Sequence, residues 1–229
     1  MRTKVIAALV FFCASAPALE LKTDQDRVNE FGAAVDERLA PLFEKAGVAY
    51  PPESVTLIAF KDEKMLEVYA PGADNRQRFI TSYPVVDIRS RFGPKLRRGD
   101  LMTPEGLYEV SNLNPNSRFH LALRVNYPNP YDRARAVEEK REDLGREIMI
   151  TGYAESHGCI TVDDLAVEDL FVLAAKTNYE KVKVIITPVD FRHNPLNSPS
   201  QGAPPWTAEV YASIRKALKA YPLPPGESE

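Results

Sequence analysis

A series of short apolar runs in the middle of the chain constrains its fold most. Each run is four to eight residues long, is rich in β-branched or aromatic side chains, and ends at turn-forming residues. This pattern predicts β-strands. The first two runs flank the charged segment 61–64, so they predict a hairpin. The predicted strands span residues 55–60, 65–70, 79–86, 106–111, 119–125, 148–151 and 182–187.

Amphipathic helices are predicted on both sides of these strands. Residues 24–43 place apolar side chains three or four positions apart, which is the spacing of one helix face, and Gly47 ends the helix. Asp163 or Asp164 is predicted to cap a second helix, and a short third helix is predicted near 207–220. Strands in the middle with helices around them indicate an α+β fold rather than alternating β-α-β units.

Two segments are predicted to lie outside regular structure. Residues 126–146 begin with strong turn signals and continue as a polar, charged stretch, which predicts a long loop. Loops of this length in a compact domain are typically lids, binding loops or flexible inserts. From residue 193 onward the chain is rich in proline, which predicts a tail apart from the short third helix.

The first eighteen residues have the pattern of a secretory signal peptide. Arg2 and Lys4 precede the uninterrupted apolar run 5–14, and Ala16-Pro17-Ala18 fits a small-residue cleavage site. We therefore expect cleavage after Ala18 and export from the cytoplasm. No later segment is long and apolar enough to predict a transmembrane anchor.

The charge balance argues against a nucleic-acid partner. Lys and Arg total 29 against 32 for Asp and Glu, which gives a formal net charge of −3, and removal of the leader moves this charge to −5. Such a chain has no basic excess with which to neutralise a phosphate backbone.

Export makes the cysteine content informative. The chain has two cysteines, and Cys13 lies in the leader, so the mature protein is expected to carry one thiol, that of Cys159. A single thiol in an oxidising compartment cannot form an internal disulfide and is open to oxidation. The count alone is consistent with a buried, inert cysteine and with a reactive one.

The tetrapeptide Ser156-His157-Gly158-Cys159 favours the reactive cysteine. If this segment is extended, the β-carbons of His157 and Cys159 lie about 6.6 Å apart on one side, so the imidazole can assist formation of a nucleophilic thiolate. Gly158 permits close backbone approach, and the amides of Gly158 and Cys159 are candidate oxyanion donors. The alternative is a turn with an incidental histidine beside a buried thiol.

The other two histidines give a weaker signal. His120 is either a half-buried structural histidine or a second imidazole of the site, and His193 is expected at the surface. Three histidines without ligand spacing give no metal signal, and Asp163-Asp164 is better explained as a helix cap.

A cluster of basic residues precedes the fourth predicted strand. It is either a solvated loop or a clamp for carboxylates, for which arginine forks are suited. Its members are Arg89, Arg91, Lys95, Arg97 and Arg98.

An ordered set of motifs over residues 54–192 resembles the YkuD-type L,D-transpeptidase catalytic-domain family, and in particular its YafK-like branch. The tetrapeptide at 156–159 resembles the nucleophile motif of that family. The other matching pieces are Gly93-Pro94-Lys95, Gly99-Asp100, Thr103-Pro104-Glu105-Gly106-Leu107-Tyr108, residues 114–120 and 126–129, Asp163, Phe171 and Asp190-Phe191-Arg192.

The resemblance implies an α+β fold with a mixed β-sheet core and flanking helices over residues 54–192. An N-terminal helical extension at 19–53 would precede this domain, and a proline-rich tail at 193–229 would follow it. The leader would occupy residues 1–18.

The resemblance also implies a periplasmic enzyme that acts on peptidoglycan stem peptides, in cell-wall biogenesis and cell shape. Its cysteine would attack the carbonyl of an L-centre followed by a D-residue and form a thioester. An amine would then give a transpeptidase product, and water a carboxypeptidase or amidase product, in the last case releasing an envelope protein attached to peptidoglycan. No metal or organic cofactor is implied. The alternative is a catalytically degraded domain of the same fold that binds peptidoglycan or a partner protein.

One position departs from the family pattern. The usual base belongs to a His-Gly pair that here reads Thr151-Gly152, whereas His157 stands where the YafK-like branch often lacks a histidine. A hydroxyl cannot accept a proton near neutral pH as an imidazole does. We therefore predict Cys159 as the nucleophile, His157 as the base and His120 as a weaker candidate. The predicted substrate-binding residues are Arg91, Lys95, Arg97, Ser156 and Thr151.

Overall fold

The computed structural model describes residues 21–89, 91–153, 155–196 and 201–226. The predicted leader at 1–18, together with Cys13, lies outside the described residues, so its cleavage stays a prediction. In the part of the chain that is described, no helix is long and apolar enough to cross a membrane.

The described elements match the predicted ones closely. The helices are α1 (Asp24–Ala46), α2 (Pro130–Glu138), α3 (Asp164–Thr177) and α4 (Thr207–Leu218), and a short 3₁₀ turn spans Tyr179–Lys181. The strands are β1 (Val55–Phe60), β2 (Met65–Pro71), β3 (Gln77–Pro84), β4 (Gly106–Ser117), β5 (His120–Val125), β6 (Met149–Thr151), β7 (Ile160–Thr161) and β8 (Val182–Thr187). The predicted strands and helices are confirmed, except that β4 is longer than expected and that α2 and β7 were not predicted.

The strands form one mixed sheet of eight strands in the order β3-β2-β1-β8-β4-β5-β6-β7. The pairs β1–β8 and β6–β7 are parallel, and the others are antiparallel. The α+β class with a mixed sheet is therefore confirmed. The β6–β7 pair determines where Cys159 lies, because β7 begins at the residue that follows it.

Side chains of the central strands alternate between two apolar layers. On β1, Leu57 and Ala59 belong to the core under α1 and α3, whereas Ile58 and Phe60 belong to a second core under α4. This explains why every residue of β1 is buried, since a strand covered on both faces reads as a continuous apolar run.

Helices α1 and α3 cover one face of the sheet. Thr23 and Asp26 form a capping box that starts α1, and Gly47 ends it in the left-handed conformation, with φ 68°. The buried face of α1 carries Val35, Leu39 and Phe43, as the periodicity predicts. The segment predicted as an N-terminal extension thus contributes its apolar face to the main core.

Helix α4 covers the other face of the sheet. Val210, Tyr211 and Ile214 of this helix pack on Ile58 and Ile185 in the second core. The segment predicted as a tail therefore contributes an integral helix to the fold.

The prediction of an unbroken loop at 126–146 is wrong, because α2 lies within it. Asn129 caps this helix: its side chain accepts a hydrogen bond from the Asp132 amide, and the Asp132 carboxylate accepts one from the Asn129 amide. Pro130 occupies the first turn, where its missing N–H costs nothing. The Asn-Pro pair thus starts a helix instead of a turn.

Candidate active site

Cys159 is a half-buried thiol immediately before β7, and it is the only free cysteine among the residues that the structure describes. Because Ile160 pairs with Ile150 in a parallel register, Cys159 lies beside the start of β6. Its Sγ lies 3.7 Å from the carbonyl oxygen of Glu147. The sulfur is therefore positioned by the loop that leads into β6.

The segment that carries Cys159 is bent at His157 and Gly158. The buried hydroxyl of Ser156 closes this bend, since it donates to the Cys159 carbonyl at 2.6 Å and accepts from the Gly158 amide at 3.2 Å. The Ser156 amide in turn donates to the carboxylate of Asp87 at 2.8 Å. The expectation of an extended segment, which would direct His157 and Cys159 to one side, is therefore wrong.

The bend also bears on the two candidate oxyanion donors. The Gly158 amide already donates to Ser156 Oγ, so it serves an oxyanion only if that hydrogen bond is released. The role of the Cys159 amide stays a prediction. A donor helps when it points at the position that the developing oxyanion will occupy.

The backbone conformation and the close packing at position 158 require a glycine. Its φ is +119°, a conformation that side chains with a β-carbon rarely adopt, and a β-carbon there would lie 2.7 Å from the carbonyl oxygen of Met102. The segment 156–159 thus packs directly against the segment that contains Met102.

Replacing Gly158 by alanine is expected to displace this bend and to destabilise the protein by roughly 1–3 kcal/mol. The thermal midpoint and the rate of Cys159 alkylation would both change. Gly32→Ala in α1 is the matched control, because its β-carbon would meet Val28 Cγ1 at an ordinary 3.7 Å and alanine favours a helix interior. Equal behaviour of the two variants would contradict the steric argument.

Two loops meet beside Cys159. In the loop before β6, Glu147 has a φ of 68°, and its carbonyl accepts the Cys159 thiol. A β-carbon on Gly145 would lie 3.2 Å from the Cα of Arg98, and the Arg98 amide donates to the Asp143 carbonyl. Packing of the two loops therefore holds Glu147 in its strained conformation next to the sulfur.

The surroundings of Cys159 keep its thiol protonated at rest. Burial raises the pKa of Cys159 above its ordinary value, and the Glu147 carboxylate acts in the same direction. The Met149 backbone amide and the Lys95 ammonium lower this pKa, but burial has the largest effect. Formation of the thiolate near neutral pH therefore needs a proton acceptor or a substrate that changes these surroundings.

His157 lies at the surface of the bend. Its side chain is 68% exposed, and its Nε2 is 3.9 Å from Glu155 Oε1. No hydrogen bond joins the imidazole of His157 to the sulfur of Cys159, although both residues are described. The structure thus places His157 on the nucleophile segment without direct contact between the two groups.

His120 is held between two helices. Its Nε2 lies 2.9 Å from Glu168 Oε1 of α3, and its ring packs edge-on against Phe31 of α1. Its φ of 71° turns the chain at the start of β5. The structure does not bring this imidazole into hydrogen-bond contact with Cys159.

Thr151 is buried at the end of β6 and is engaged by β5. Its hydroxyl donates to the carbonyl of Leu121 at 2.9 Å, and Phe119 O lies 3.3 Å away. The next residue must be glycine, because a β-carbon on Gly152 would lie 2.6 Å from Phe119 O. The hydroxyl therefore ties two strands together where the family pattern has an imidazole.

The basic cluster divides into paired and unpaired side chains. Lys95 is buried and pairs with Asp100, Arg98 pairs with Asp143, and Arg89 approaches Glu155 at 3.5 Å. The side chains of Arg91 and Arg97 are exposed and line a cleft. The cluster is therefore not uniform. Arg91 and Arg97 are exposed, whereas Lys95 forms a buried ion pair with Asp100.

Sequence reasoning missed several residues that position the site. Asp87 holds the Ser156 amide and bridges to Thr161 of β7. Glu105 is fully buried and accepts hydrogen bonds from Lys61, Tyr211 and the Gly93 amide. Glu105 lies in a motif that the resemblance singled out, whereas no local signal marked Asp87.

The described residues contain no group of three or more His, Cys, Asp or Glu side chains arranged to hold a metal ion. The chemistry that the site offers is that of a half-buried thiol at a glycine bend. This arrangement defines a candidate centre for acyl transfer to cysteine.

Comparison with known proteins identifies a relative by sequence. No protein-family model matches the chain. The chain is 34% identical over 114 residues to the Escherichia coli K12 protein named "Putative L,D-transpeptidase YafK". The match covers 49% of this chain and 44% of that protein, so the chain spans about half the length of the curated relatives that it matches. The comparison confirms that the chain resembles the L,D-transpeptidase family and its YafK-like branch.

Two solved structures show a more distant likeness. The helical cell shape determining protein Pgp2 from Campylobacter jejuni is 25% identical with a TM-score of 0.49, over 68% of this chain and 56% of that chain. Bdellovibrio bacteriovorus Bd1075 is 21% identical with a TM-score of 0.45, over 63% of this chain and 52% of that chain. Both TM-scores lie below 0.5, so these likenesses add nothing to the sequence comparison.

Proposed function

We propose that this protein is an exported, periplasmic cysteine enzyme of the L,D-transpeptidase type that acts on peptidoglycan stem peptides. The observation that carries the proposal is the half-buried Cys159 at the Gly158 bend, in a chain that resembles YafK. A thiol with partial exposure next to a backbone amide is suited to attack a peptide carbonyl.

The proposed reaction proceeds through a thioester. Cys159 gives its proton to a base, and the thiolate attacks the carbonyl of the L-centre of the stem peptide. The bond between this carbonyl and the following D-residue then breaks, and the leaving amine takes a proton from the base. An amine that attacks the thioester gives a cross-link or an attached protein, whereas water gives a shortened peptide or a released envelope protein.

A catalytically degraded binding domain is the second candidate. The observation that favours it is the hydroxyl of Thr151, which is occupied by β5 at the position where the family pattern has its base. In addition, neither His120 nor His157 is hydrogen-bonded to the sulfur of Cys159, all three residues being described. Such a domain would bind the stem peptide without forming a covalent bond.

Intact-mass measurement separates the two candidates. The mature protein is incubated with a carbapenem and, separately, with purified stem tetrapeptide, and the mass of the protein is followed over time. A covalent adduct that is lost when hydroxylamine is added supports the enzyme. Binding of the tetrapeptide without any adduct from either reagent supports the degraded domain. Analysis of muropeptides after incubation with sacculi then distinguishes the amine-dependent product from the hydrolytic one.

His157→Ala is expected to lower kcat/KM by about 10²–10⁴-fold, which is the usual contribution of a general base. Catalytic hydrogen bonds often form only when substrate is bound, so the exposed imidazole of His157 can still serve the nucleophile on its own segment. His120→Ala is the comparison variant and is expected to cost less, because the imidazole of His120 is already engaged by Glu168 and Phe31. If His120→Ala lowers kcat/KM more than His157→Ala does, His120 of β5 is the base instead.

A further inference from the structure

A cleft with a volume of about 660 Å³ is lined in part by Met102, whose carbonyl packs against the bend at Gly158. One wall is the loop 91–102, a second is the segment 141–143, and a third is the segment 201–204 that precedes α4. The β-carbon of Ala203 lies within 3.9 Å of the position that a β-carbon on Gly93 would take, so the first and third walls are in contact.

The cleft carries two exposed arginines whose backbones are fixed. The carbonyl of Arg91 accepts a hydrogen bond from the buried ammonium of Lys61. The amide of Arg97 donates to Asp100, and its carbonyl accepts from Lys95. Within the described residues, neither guanidinium makes an ion pair or a side-chain hydrogen bond. Two exposed guanidinium groups without an ion-pair partner among the described residues are therefore available to a ligand.

The acidic residues of the cleft are mostly occupied. Asp100 is paired with Lys95, and Asp143 is paired with Arg98. Glu142 is exposed and is the one carboxylate of the lining that has no ion-pair partner among the described residues. The free charge of the cleft is thus positive and is concentrated on the loop 91–102.

The cleft is connected to Cys159 through Met102 and Lys95. Met102 lines the cleft, and its carbonyl packs against Gly158. Lys95 lies between two residues that line the cleft, and its ammonium is close enough to Cys159 to act on the thiol. The cleft and the bend that precedes Cys159 are therefore neighbours in the fold through Met102, although Cys159 is not itself part of the lining.

We infer that this cleft is a carboxylate-binding subsite, in which Arg91 and Arg97 hold two carboxylates of an acidic peptide whose scissile bond reaches Cys159. An arginine fork binds a carboxylate with two parallel N–H···O bonds, which a lysine cannot reproduce. The inference rests on the proposed function and adds to it a selectivity for stem peptides with free carboxylates over peptides in which those groups are amidated.

Calorimetric titration and acylation kinetics with matched peptides test this inference. The probe is the tetrapeptide L-Ala-γ-D-Glu-meso-diaminopimelyl-D-Ala, and its comparison is the same peptide with amidated carboxylates. Arg91→Ala and Arg97→Ala are each expected to weaken binding of the acidic peptide about tenfold, because each removes a charge-assisted hydrogen-bonding fork. Added salt is expected to weaken binding of the acidic peptide to the wild type, but to have little effect on the double variant Arg91→Ala/Arg97→Ala.

The controls address folding and chemistry separately. Arg91→Lys and Arg97→Lys keep the charge without the fork and should give intermediate affinity. Arg76→Ala removes an arginine that is 81% exposed, in the turn between β2 and β3, and should have no effect. Alkylation of Cys159 by a small neutral reagent should be unchanged in all these variants.

The inference and the proposed function fail in different ways. Equal affinity of the wild type and the double variant, equal affinity for acidic and amidated peptide, or no binding by the wild type would each overturn the subsite. Arginine-dependent binding without any thioester would keep the subsite and reject the enzyme. A thioester that forms with unchanged KM in the double variant would keep the enzyme and reject the subsite.

Discussion

Replacing Cys159 by serine is expected to abolish turnover and covalent labelling while leaving the fold intact. Loss of an essential nucleophile costs about 10⁴-fold or more in kcat, because the residual catalysis comes from binding alone. Serine is slightly smaller than cysteine and fits the space of the half-buried thiol, so the thermal midpoint should change little. The measurements are muropeptide turnover, intact mass after carbapenem treatment, and thermal unfolding of both proteins.

The pH dependence of the alkylation rate tests the pKa of the Cys159 thiol independently of turnover. Because burial raises the pKa of Cys159, the alkylation rate should increase with pH over a range above that of an ordinary cysteine. Lys95 opposes this rise, so Lys95→Met should move the profile to still higher pH. Ser213→Ala, in the exposed face of α4, is the control and should leave activity and the profile unchanged. A native thiol that resists alkylation at every pH, or a serine variant with full activity, would contradict the catalytic assignment.

The fold could be predicted from the sequence wherever one physical signal dominated. The spacing of Val35 and Leu39 predicted a helix face, and the run at 55–60 predicted the strand β1. Capping signals were more ambiguous. Asn129 and Pro130 favour a turn and a helix start equally well, and the sequence alone does not show which of the two forms. The strand β7 could not be predicted from the sequence, because two residues are too few to show a strand pattern and the strand is defined only by its pairing with β6.

The site could be predicted in part, for the same reason. The lone thiol, the glycine next to it and the exposed arginines are properties of residue types and neighbours, and the sequence indicated all of them. The direction of the His157 side chain depends on the bend that Ser156 closes through Asp87, which lies 69 positions earlier in the chain. A contact of that kind follows from the pairing of strands and loops, which spacing along the chain does not specify.

Replacement of Glu105 is expected to destabilise the fold strongly. Its carboxylate accepts from the Lys61 ammonium at 2.8 Å, from the Gly93 amide at 3.0 Å and from the Tyr211 hydroxyl at 2.9 Å. The side chains of Lys61 and Glu105 are both 0% exposed. Glu105 thus joins β1, the loop that lines the cleft and helix α4 in one buried cluster.

Glu105→Ala is expected to lower the free energy of unfolding by about 3–5 kcal/mol, because it leaves the ammonium of Lys61 buried without a counter-charge. Burial already lowers the pKa of Lys61, so part of the response should be deprotonation of this lysine and a smaller loss of stability at high pH. Urea unfolding at neutral and at alkaline pH would measure both effects. Glu53→Ala, at an exposed loop position, is the control and should change stability by less than about 0.5 kcal/mol.

The double variant Lys61→Met/Glu105→Gln separates charge from connectivity. It removes both charges but keeps an amide oxygen that can accept from Gly93 or from Tyr211, so it should be more stable than Glu105→Ala. If the double variant is no more stable than Glu105→Ala, the unpaired ammonium of Lys61 is not the cause of the lost stability and the prediction is wrong. If Glu105→Ala unfolds like the wild type, the cluster does not fix the loop 91–102. The arginines of the cleft would then need another reason to be held in place, since Arg91 is positioned through the Lys61 ammonium that Glu105 neutralises.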